Sequence, residues 1–274
     1  MTEDSLFGGS KKVRVQHLRQ AKERGEKWPM LTSYDQYSAE IFDEAGVPVL
    51  LIGDSAANNV LGYDSTLPIG VEELLPLTRG VAAHARRALV IADLPFGSFE
   101  ASPEHAFHTA VRFMKAGAQA VKLEGGRAVV SQVKALARAG IPVMSHIGFT
   151  PQHLHGLGGY RVQGRGQDAG YLLDDALRLE EAGAFAIGLE LVPAETAREI
   201  TENLSIPTVG IGAGPYTDAQ VMIWQDLAGL RSGPPPRYVK QYADMRTTLK
   251  GAVELFAKEV REGIFPGPDN TFQQ

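Results

Sequence analysis

The chain has 274 residues, a formal net charge of -5 with 27 Lys and Arg scattered among 32 Asp and Glu, and no cysteine. That balance carries no electrostatic footprint for nucleic acid or an anionic membrane, and the missing thiols exclude disulfides, thiol nucleophiles and thiolate zinc sites. A small-molecule partner fits better, any metal must be held by oxygen or histidine ligands, and the absence of a signal core or of an apolar run near the ~20 residues that cross a bilayer points to a cytoplasmic setting.

Residues 1–10 hold Gly8, Gly9 and Ser10 among few apolar groups and read as a flexible leader, with residues 11–274 as one catalytic domain. Helical spacing over residues 13–25, stopped at Gly25, predicts an N-terminal helix suited to covering the bottom of the main fold. A short strand then ends in Thr32-Ser33-Tyr34-Asp35, and a helical pattern over residues 38–45 stops at Gly46. Val49-Leu50-Leu51-Ile52-Gly53-Asp54-Ser55 is an apolar run with a polar tip, the pattern of a strand buried on both faces. Because side chains alternate along a strand, Ile52 is expected to share a face with Asp54. A long connection through Asn58, Asn59 and Gly62-Tyr63-Asp64-Ser65-Thr66 leads to a helix over residues 71–87.

Leu89-Val90-Ile91-Ala92-Asp93 repeats the apolar run with an acid tip. Ser102-Pro103-Glu104 supplies an N-cap, a proline at the first helical position and an early acid for a helix that Gly117 ends. Ala120-Val121-Lys122-Leu123-Glu124 comes next with Lys122 and Glu124 on one face, then a helix to Ala139 and the strand Pro142-Val143-Met144-Ser145-His146. The glycine-rich stretch 148–170, carrying Arg161, Gln163 and Arg165, is long and irregular enough for a lid. A helix over residues 171–182, the strand Ala184-Phe185-Ala186-Ile187-Gly188-Leu189-Glu190, a helix over residues 194–204 and the strand Pro207-Thr208-Val209-Gly210-Ile211 keep the alternation. Gly212-Ala213-Gly214 is expected to turn into a helix starting near Thr217 or Asp218, with an eighth strand around residues 227–230 and a long amphipathic helix over residues 237–262.

Eight strand patterns alternating with helices, with no break in composition, predict a single (β/α)8 TIM barrel with an N-terminal helix rather than an open doubly wound sheet. The polar tips fall where barrel active sites lie, at the C-terminal ends of strands. Asp54, Asp93 and Glu124 come from successive units, and inward acids repel one another unless a cation neutralises them. Hard oxygen donors without cysteine or a histidine pair favour Mg²⁺ over zinc. Taken singly, each acid also suits a helix cap. Lys122 fits either an internal salt bridge or a counter-charge for an anionic substrate, and nearby acids should keep it protonated, against a Schiff-base role. Glu190 suits a general acid or base, or a capping or salt-bridged Glu, while Tyr34 and His146 read as pocket lining. The run Gly210-Ile211-Gly212-Ala213-Gly214 fits a phosphate cradle or, with no Lys or Arg directly after it, a tight turn.

Several of these segments, in order, resemble the ketopantoate hydroxymethyltransferase family: Met30-Leu31-Thr32-Ser33-Tyr34-Asp35, Gly53-Asp54-Ser55, Gly62-Tyr63-Asp64-Ser65-Thr66-Leu67-Pro68, Ala92-Asp93-Leu94-Pro95-Phe96, Val121-Lys122-Leu123-Glu124-Gly125-Gly126, His146-Ile147-Gly148-Phe149-Thr150-Pro151-Gln152, Gly158-Gly159-Tyr160-Arg161-Val162-Gln163-Gly164-Arg165-Gly166 and Gly210-Ile211-Gly212-Ala213-Gly214. The resemblance implies a Mg²⁺-dependent barrel enzyme of pantothenate synthesis, transferring a one-carbon unit from 5,10-methylenetetrahydrofolate to 3-methyl-2-oxobutanoate and forming 2-dehydropantoate through a metal-stabilised enolate. It implies Asp54, Asp93 and Glu124 as the metal ligands, Asp54, Ser55, Asp93 and Lys122 as contacts of the keto acid, and Glu190 as the proton acceptor. A homodecamer is the implied assembly. The chain departs from the family pattern at Ala56-Ala57-Asn58-Asn59, at His153-Leu154-His155 and at Asp269-Asn270-Thr271-Phe272, none of which is an implied catalytic position. The same broad chemistry would serve a Mg²⁺-dependent lyase or mutase acting on phosphoenolpyruvate or a related keto acid, and a barrel without catalysis would bind an anionic metabolite and turn nothing over.

Overall fold

The computed structural model describes residues 5–6 and 11–272. Helix α1 (Val15–Glu23) precedes β1 (Trp28–Thr32), and then come α2 (Gln36–Glu44), β2 (Val49–Ile52), a short α3 (Ala56–Asn59), α4 (Val71–His84), β3 (Leu89–Asp93), α5 (Pro103–Lys115), β4 (Ala120–Glu124) and α6 (Val130–Arg138). After β5 (Val143–Gly148) come α7 (Asp168–Glu181), β6 (Ala186–Glu190), α8 (Ala194–Asn203), β7 (Thr208–Ile211) and β8 (Ala219–Met222). Every neighbouring pair is parallel and β8 pairs back onto β1, Trp28 beside Ala219 and Met30 beside Val221, so the eight strands close as a barrel. The fold expected from the alternating pattern is the fold observed.

Local chemistry sets the helix starts. Ser102 accepts from His105 N at 3.1 Å ahead of α5, and Asp35 accepts from Tyr37 N and Ser38 N at 2.8 and 2.9 Å ahead of α2, each satisfying amides a helix leaves unpaired.

One apolar cluster takes residues from all eight strands: Trp28 and Met30, Val49 and Leu51, Leu89 and Ile91, Ala120, Met144, Ala186, Val209 and Ala219. A cluster touched by every strand of a closed barrel is its interior. Leu6, Val13, Leu18 and Ala21 join it, so α1 and the chain before it close the bottom as expected. Of the leader expected over residues 1–10, positions 1–4 and 7–10 lie outside the described residues, while Ser5 Oγ and Leu6 N both donate to Glu26 Oε1, at 2.7 and 2.9 Å.

Three expectations near the C-terminal end are corrected. The eighth strand is Ala219–Met222, not residues 227–230, which hold the end of helix α9 (Trp224–Leu227) and a turn. No helix starts at Thr217 or Asp218, because Asp218 spends its carboxylate elsewhere: Oδ2 accepts from Thr208 N and Oγ1 on β7, at 2.8 and 3.2 Å, and from Lys22 Nζ of α1 at 2.9 Å. The long amphipathic helix is α10 (Met245–Arg261), shorter at its start than residues 237–262. The chain forms two compact units, residues 1–222 with the whole barrel and residues 223–274 with α9 and α10. Among the described residues no helix is long and apolar enough to cross a membrane.

Candidate active site

The interior cluster fixes which side chains point inward. Ile91 on β3 and Ala120 on β4 are interior residues, so a period of two carries Asp93, Lys122 and Glu124 inward. The same counting gives Met144 then His146 on β5, and Ala186 then Glu190 on β6. On β2 the interior residues are Val49 and Leu51, so Ile52 faces the helices and the expected alternation of Ile52 with Asp54 does not apply. Asp54 reaches the site because the strand stops at Ile52 and the chain turns, Ala56 N donating to Gly53 O at 3.0 Å. Gly53 is required for the close approach: a Cβ there would stand 2.6 Å from Ser55 Oγ and 3.6 Å from Asp93 Oδ2.

Asp54, Asp93, Lys122 and Glu124 form one buried group, each at most 5 % exposed. Asp93 Oδ2 accepts from Asp54 N at 2.9 Å, and Asp93 Oδ1 pairs with Lys122 Nζ at 2.9 Å, while Lys122 stands 3.8 Å from Glu124 Oε1. Three carboxyls against one ammonium leave an excess of negative charge in a desolvated place. Burial and then the neighbouring Asp93 push the Asp54 carboxyl up to about 7. Glu124 is raised well above the carboxylate range, by burial first and by Asp54 and Asp93, against the pull of Lys122. Burial opposes the charge on Lys122, but Asp93, Glu124 and Asp54 outweigh it and hold the ammonium above its ordinary value, which rules against a neutral amine for imine chemistry.

Tyr34 and Ser55 form a hydroxyl edge beside this group, Tyr34 Oη and Ser55 Oγ standing 2.8 Å apart. Burial raises the Tyr34 phenol above its ordinary value, with Asp93 and Asp54 adding to it, so it remains a proton donor.

Glu190 lies two strands on from Glu124, and its charge is one of those that raise Asp54. His146 Nε2 is 3.3 Å from Glu190 Oε2 and 3.0 Å from Phe149 O. Both neighbours are acceptors, so Nε2 carries the proton, which goes to Phe149 O with the Glu190 carboxylate alongside. The backbone beneath is equally constrained. Phe149 N donates to Glu190 O at 2.8 Å, and Leu191 takes a positive φ of 47°, an uncommon conformation for a non-glycine residue. Gly148 has φ +92°, and a Cβ there would collide with Glu190 O.

The stretch expected as a lid is tied down at two points. Gln152, in a 3-10 turn (Pro151–His153), donates from its backbone N to Glu124 Oε2 at 2.9 Å and from its side chain to Asp54 Oδ2 at 2.8 Å. Further on, Gln163 N donates to Leu191 O at 2.9 Å and Thr196 Oγ1 to Gly164 O at 3.0 Å, next to Glu190. Between these anchors Tyr160 rests on Phe149 with ring centroids 4.8 Å apart and Arg161 is exposed, as is Arg165 just beyond them. Gln152 is the residue that sequence reasoning missed. Its signal is its place at the end of the family-like run His146 to Gln152, and a loop glutamine has no periodicity to mark it as functional.

Among the described residues no three carboxyl or imidazole side chains stand in ready coordination geometry. Internal hydrogen bonds already hold one oxygen of Asp54, one of Glu124 and Oδ2 of Asp93, while Asp93 Oδ1 makes, among the described residues, only the ion pair with Lys122. The donor set itself is all oxygen, its charge is unbalanced, and Gln152 Oε1 is buried with no partner among the described residues, which fits a hard divalent cation with bound water.

Among curated proteins, the chain is 62 % identical over 264 residues to the 3-methyl-2-oxobutanoate hydroxymethyltransferase of Saccharopolyspora erythraea, covering 96 % of this chain and 90 % of that one. It is 57 % identical over 272 residues to the protein of the same name from Thermobifida fusca, covering 98 % and 97 %. Solved structures share the fold at low identity: a phosphonopyruvate hydrolase complex with oxalate and Mg²⁺ (TM-score 0.62, 15 % identity, 96 % and 92 % covered) and 2,3-dimethylmalate lyase (TM-score 0.58, 18 % identity, 95 % and 92 % covered). The family model described as ketopantoate hydroxymethyltransferase matches residues 12–268, and with the barrel, the buried acid group and these relatives the chain belongs to that family.

Proposed function

We propose that the chain catalyses hydroxymethyl transfer from 5,10-methylenetetrahydrofolate to 3-methyl-2-oxobutanoate, forming 2-dehydropantoate. The observation that carries this reading is the buried group of Asp54, Asp93, Glu124 and Lys122 with Glu190 close enough to act on its charge. Family membership narrows the substrate. Asp54, Asp93 and Glu124 would hold Mg²⁺, supported by their oxygen donors and excess charge. When bound, that ion supplies Lewis acidity that stabilises negative charge on the keto oxygen of a 2-oxo acid.

The residues themselves do the rest. Lys122, kept cationic, offsets the substrate carboxylate, and Ser55, backed by Tyr34 at 2.8 Å, offers a hydroxyl to it, while Asp54 and Asp93 would meet the keto acid through the cation they hold. Glu190 takes the proton from C3, its carboxylate standing beside His146. In the net reaction the C3–H bond breaks and a C3–CH2OH bond forms. Water supplies the hydroxyl oxygen and tetrahydrofolate leaves. A cytoplasmic setting accords with the absence of cysteine, and the exposed apolar stripe of α10 supports the homodecamer the family implies.

Glu190→Gln keeps the size of the side chain and removes its basicity. The variant is expected to bind the keto acid in a Mg²⁺-dependent way, since Lys122 and the acids are untouched, yet to lose both product formation and exchange of the C3 hydrogen with D2O followed by NMR. Persistent exchange at the wild-type rate with failed transfer would move the base elsewhere in the pocket. Consumption of the keto acid without folate would point to the lyase or mutase reading instead.

A further inference from the structure

Gln152 is 3 % exposed and sits at the foot of the loop after β5, yet its contacts lie on three other strands' ends. The side-chain Nε2 donates to Asp54 Oδ2 at 2.8 Å and to Leu94 O, just after β3, at 3.0 Å, and the backbone N donates to Glu124 Oε2 at 2.9 Å. Both partners of the side-chain nitrogen are acceptors, so the amide orientation is fixed by chemistry. Both amide protons are then used. Among the described residues Oε1, the remaining acceptor, is buried without a partner, at a cost that a purely structural tether would not need to carry.

The pattern on the acids is asymmetric. Gln152 holds Oδ2 of Asp54 and Oε2 of Glu124 and not the other oxygen of either carboxyl, that of Glu124 standing 3.8 Å from Lys122 Nζ. Carboxylates restrained at one oxygen by outer hydrogen bonds present the second in a fixed direction, which is how outer partners tune a metal site. We propose that Gln152 is a positioning residue that sets the orientation of Asp54 and Glu124 for a divalent cation, its free Oε1 accepting from water bound to that cation. The assignment rests on the cation site proposed above and ties the first turn of the 148–170 loop to that site.

Gln152→Met keeps the length and bulk of the side chain and removes both the amide donor and the acceptor, while the backbone bond to Glu124 stays. Calorimetric titration of the full chain with Mg²⁺ alone, without substrates, should show affinity weakened about 10- to 100-fold, the range typical for loss of an outer partner. At saturating Mg²⁺ the KM for the keto acid should return to the wild-type value, because Gln152 acts through the acids and not on the substrate. Should the variant be too unstable for calorimetry, the Mg²⁺-dependent rise in Tm reads the same affinity, and Gln152→Ala gives a second version of the test. Unchanged Mg²⁺ affinity in a folded variant overturns the proposal and leaves Gln152 a tether of the loop. A keto-acid KM that stays raised at saturating Mg²⁺ overturns it too, placing Gln152 against the substrate. A wild-type chain that binds no Mg²⁺ removes the cation site itself, a result distinguishable because it appears before any substitution is made.

Discussion

Asp54 shows what one buried acid does to both stability and function. Its carboxyl is pushed up to about 7, from an ordinary 3.8, by burial and then by Asp93. A folded value raised above the unfolded one means that the metal-free protein prefers Asp54 protonated. The associated stability is fully present below about pH 4 and is lost as pH rises through about 7. Asp54→Asn removes the titration while leaving an acceptor oxygen for the Gln152 amide. In EDTA the variant should therefore gain Tm over the wild type progressively from pH 4 to 7, the difference levelling off above, as scanning calorimetry at several pH values can show. With Mg²⁺ the order should reverse, since only the wild type has the ligand charge to be stabilised by the ion. A Tm difference independent of pH would mean that Asp54 is not the acid under strain. Asp54 was legible in the sequence as an acid at a strand tip, but alternation from Ile52 gave the wrong reason for its place. The turn at Gly53 brings it in, and backbone turns leave no period to read.

Between β5 and β6 the constraint belongs to the elements rather than to any one side chain. Phe149 N to Glu190 O, the left-handed Leu191 and the bare Cα of Gly148 together fix where β6 ends and so where the Glu190 carboxylate sits. Gly148→Ala forces a side chain into φ +92° and against Glu190 O, a strain of about 1–3 kcal/mol by the usual cost of such conformations. The expected outcome is a modest loss of Tm with a disproportionate fall in kcat, about tenfold or more, because a small misplacement of a base is costly to proton transfer. Calorimetric Mg²⁺ affinity should fall less than kcat, since Asp54 follows β2 and Glu124 ends β4, so that only the shift passed on to Gln152 reaches the acids. Equal losses in kcat and Mg²⁺ affinity would show that the two halves of the site do not move separately. The strands carrying acids were legible because apolar runs with polar tips keep a period of two, as in Leu89 to Asp93 and Ala120 to Glu124. The eighth strand was not: Ala219–Met222 is only four residues and half exposed, and Thr217-Asp218 ahead of it has the look of a helix cap. The carboxylate of Asp218 is instead consumed by Thr208 and Lys22, partners ten residues or more away that no local pattern announces.

At the scale of the whole molecule, the barrel was predictable from the count of alternating units, whereas the assembly is not written in any one motif. Helix α10 carries Met245, Leu249, Val253, Phe256 and Val260 at spacings of three and four, a single apolar stripe along the helix. All five are exposed, between 47 and 58 %. Being about half exposed, side chains of this kind left in water forgo roughly 1 kcal/mol each, about half the gain of full burial, and contiguous exposed apolar surface of this size marks an interaction site. The stripe should therefore be covered in the working protein by other copies of the chain, consistent with the decamer proposed above. Val253→Glu with Phe256→Glu places two charges at its centre, where burial against a partner would leave them unpaired. Light scattering coupled to size exclusion is expected to give a homo-oligomer for the wild type and a smaller species for the double variant at micromolar concentration. Because Asp54, Glu124 and Gln152 all lie in residues 1–222 and α10 in residues 223–274, the dissociated variant should still bind Mg²⁺ with wild-type affinity, so that loss of assembly and loss of the cation site can be told apart. A wild-type chain that runs as a monomer, or a double variant that keeps the full assembly, would place the contact on another face.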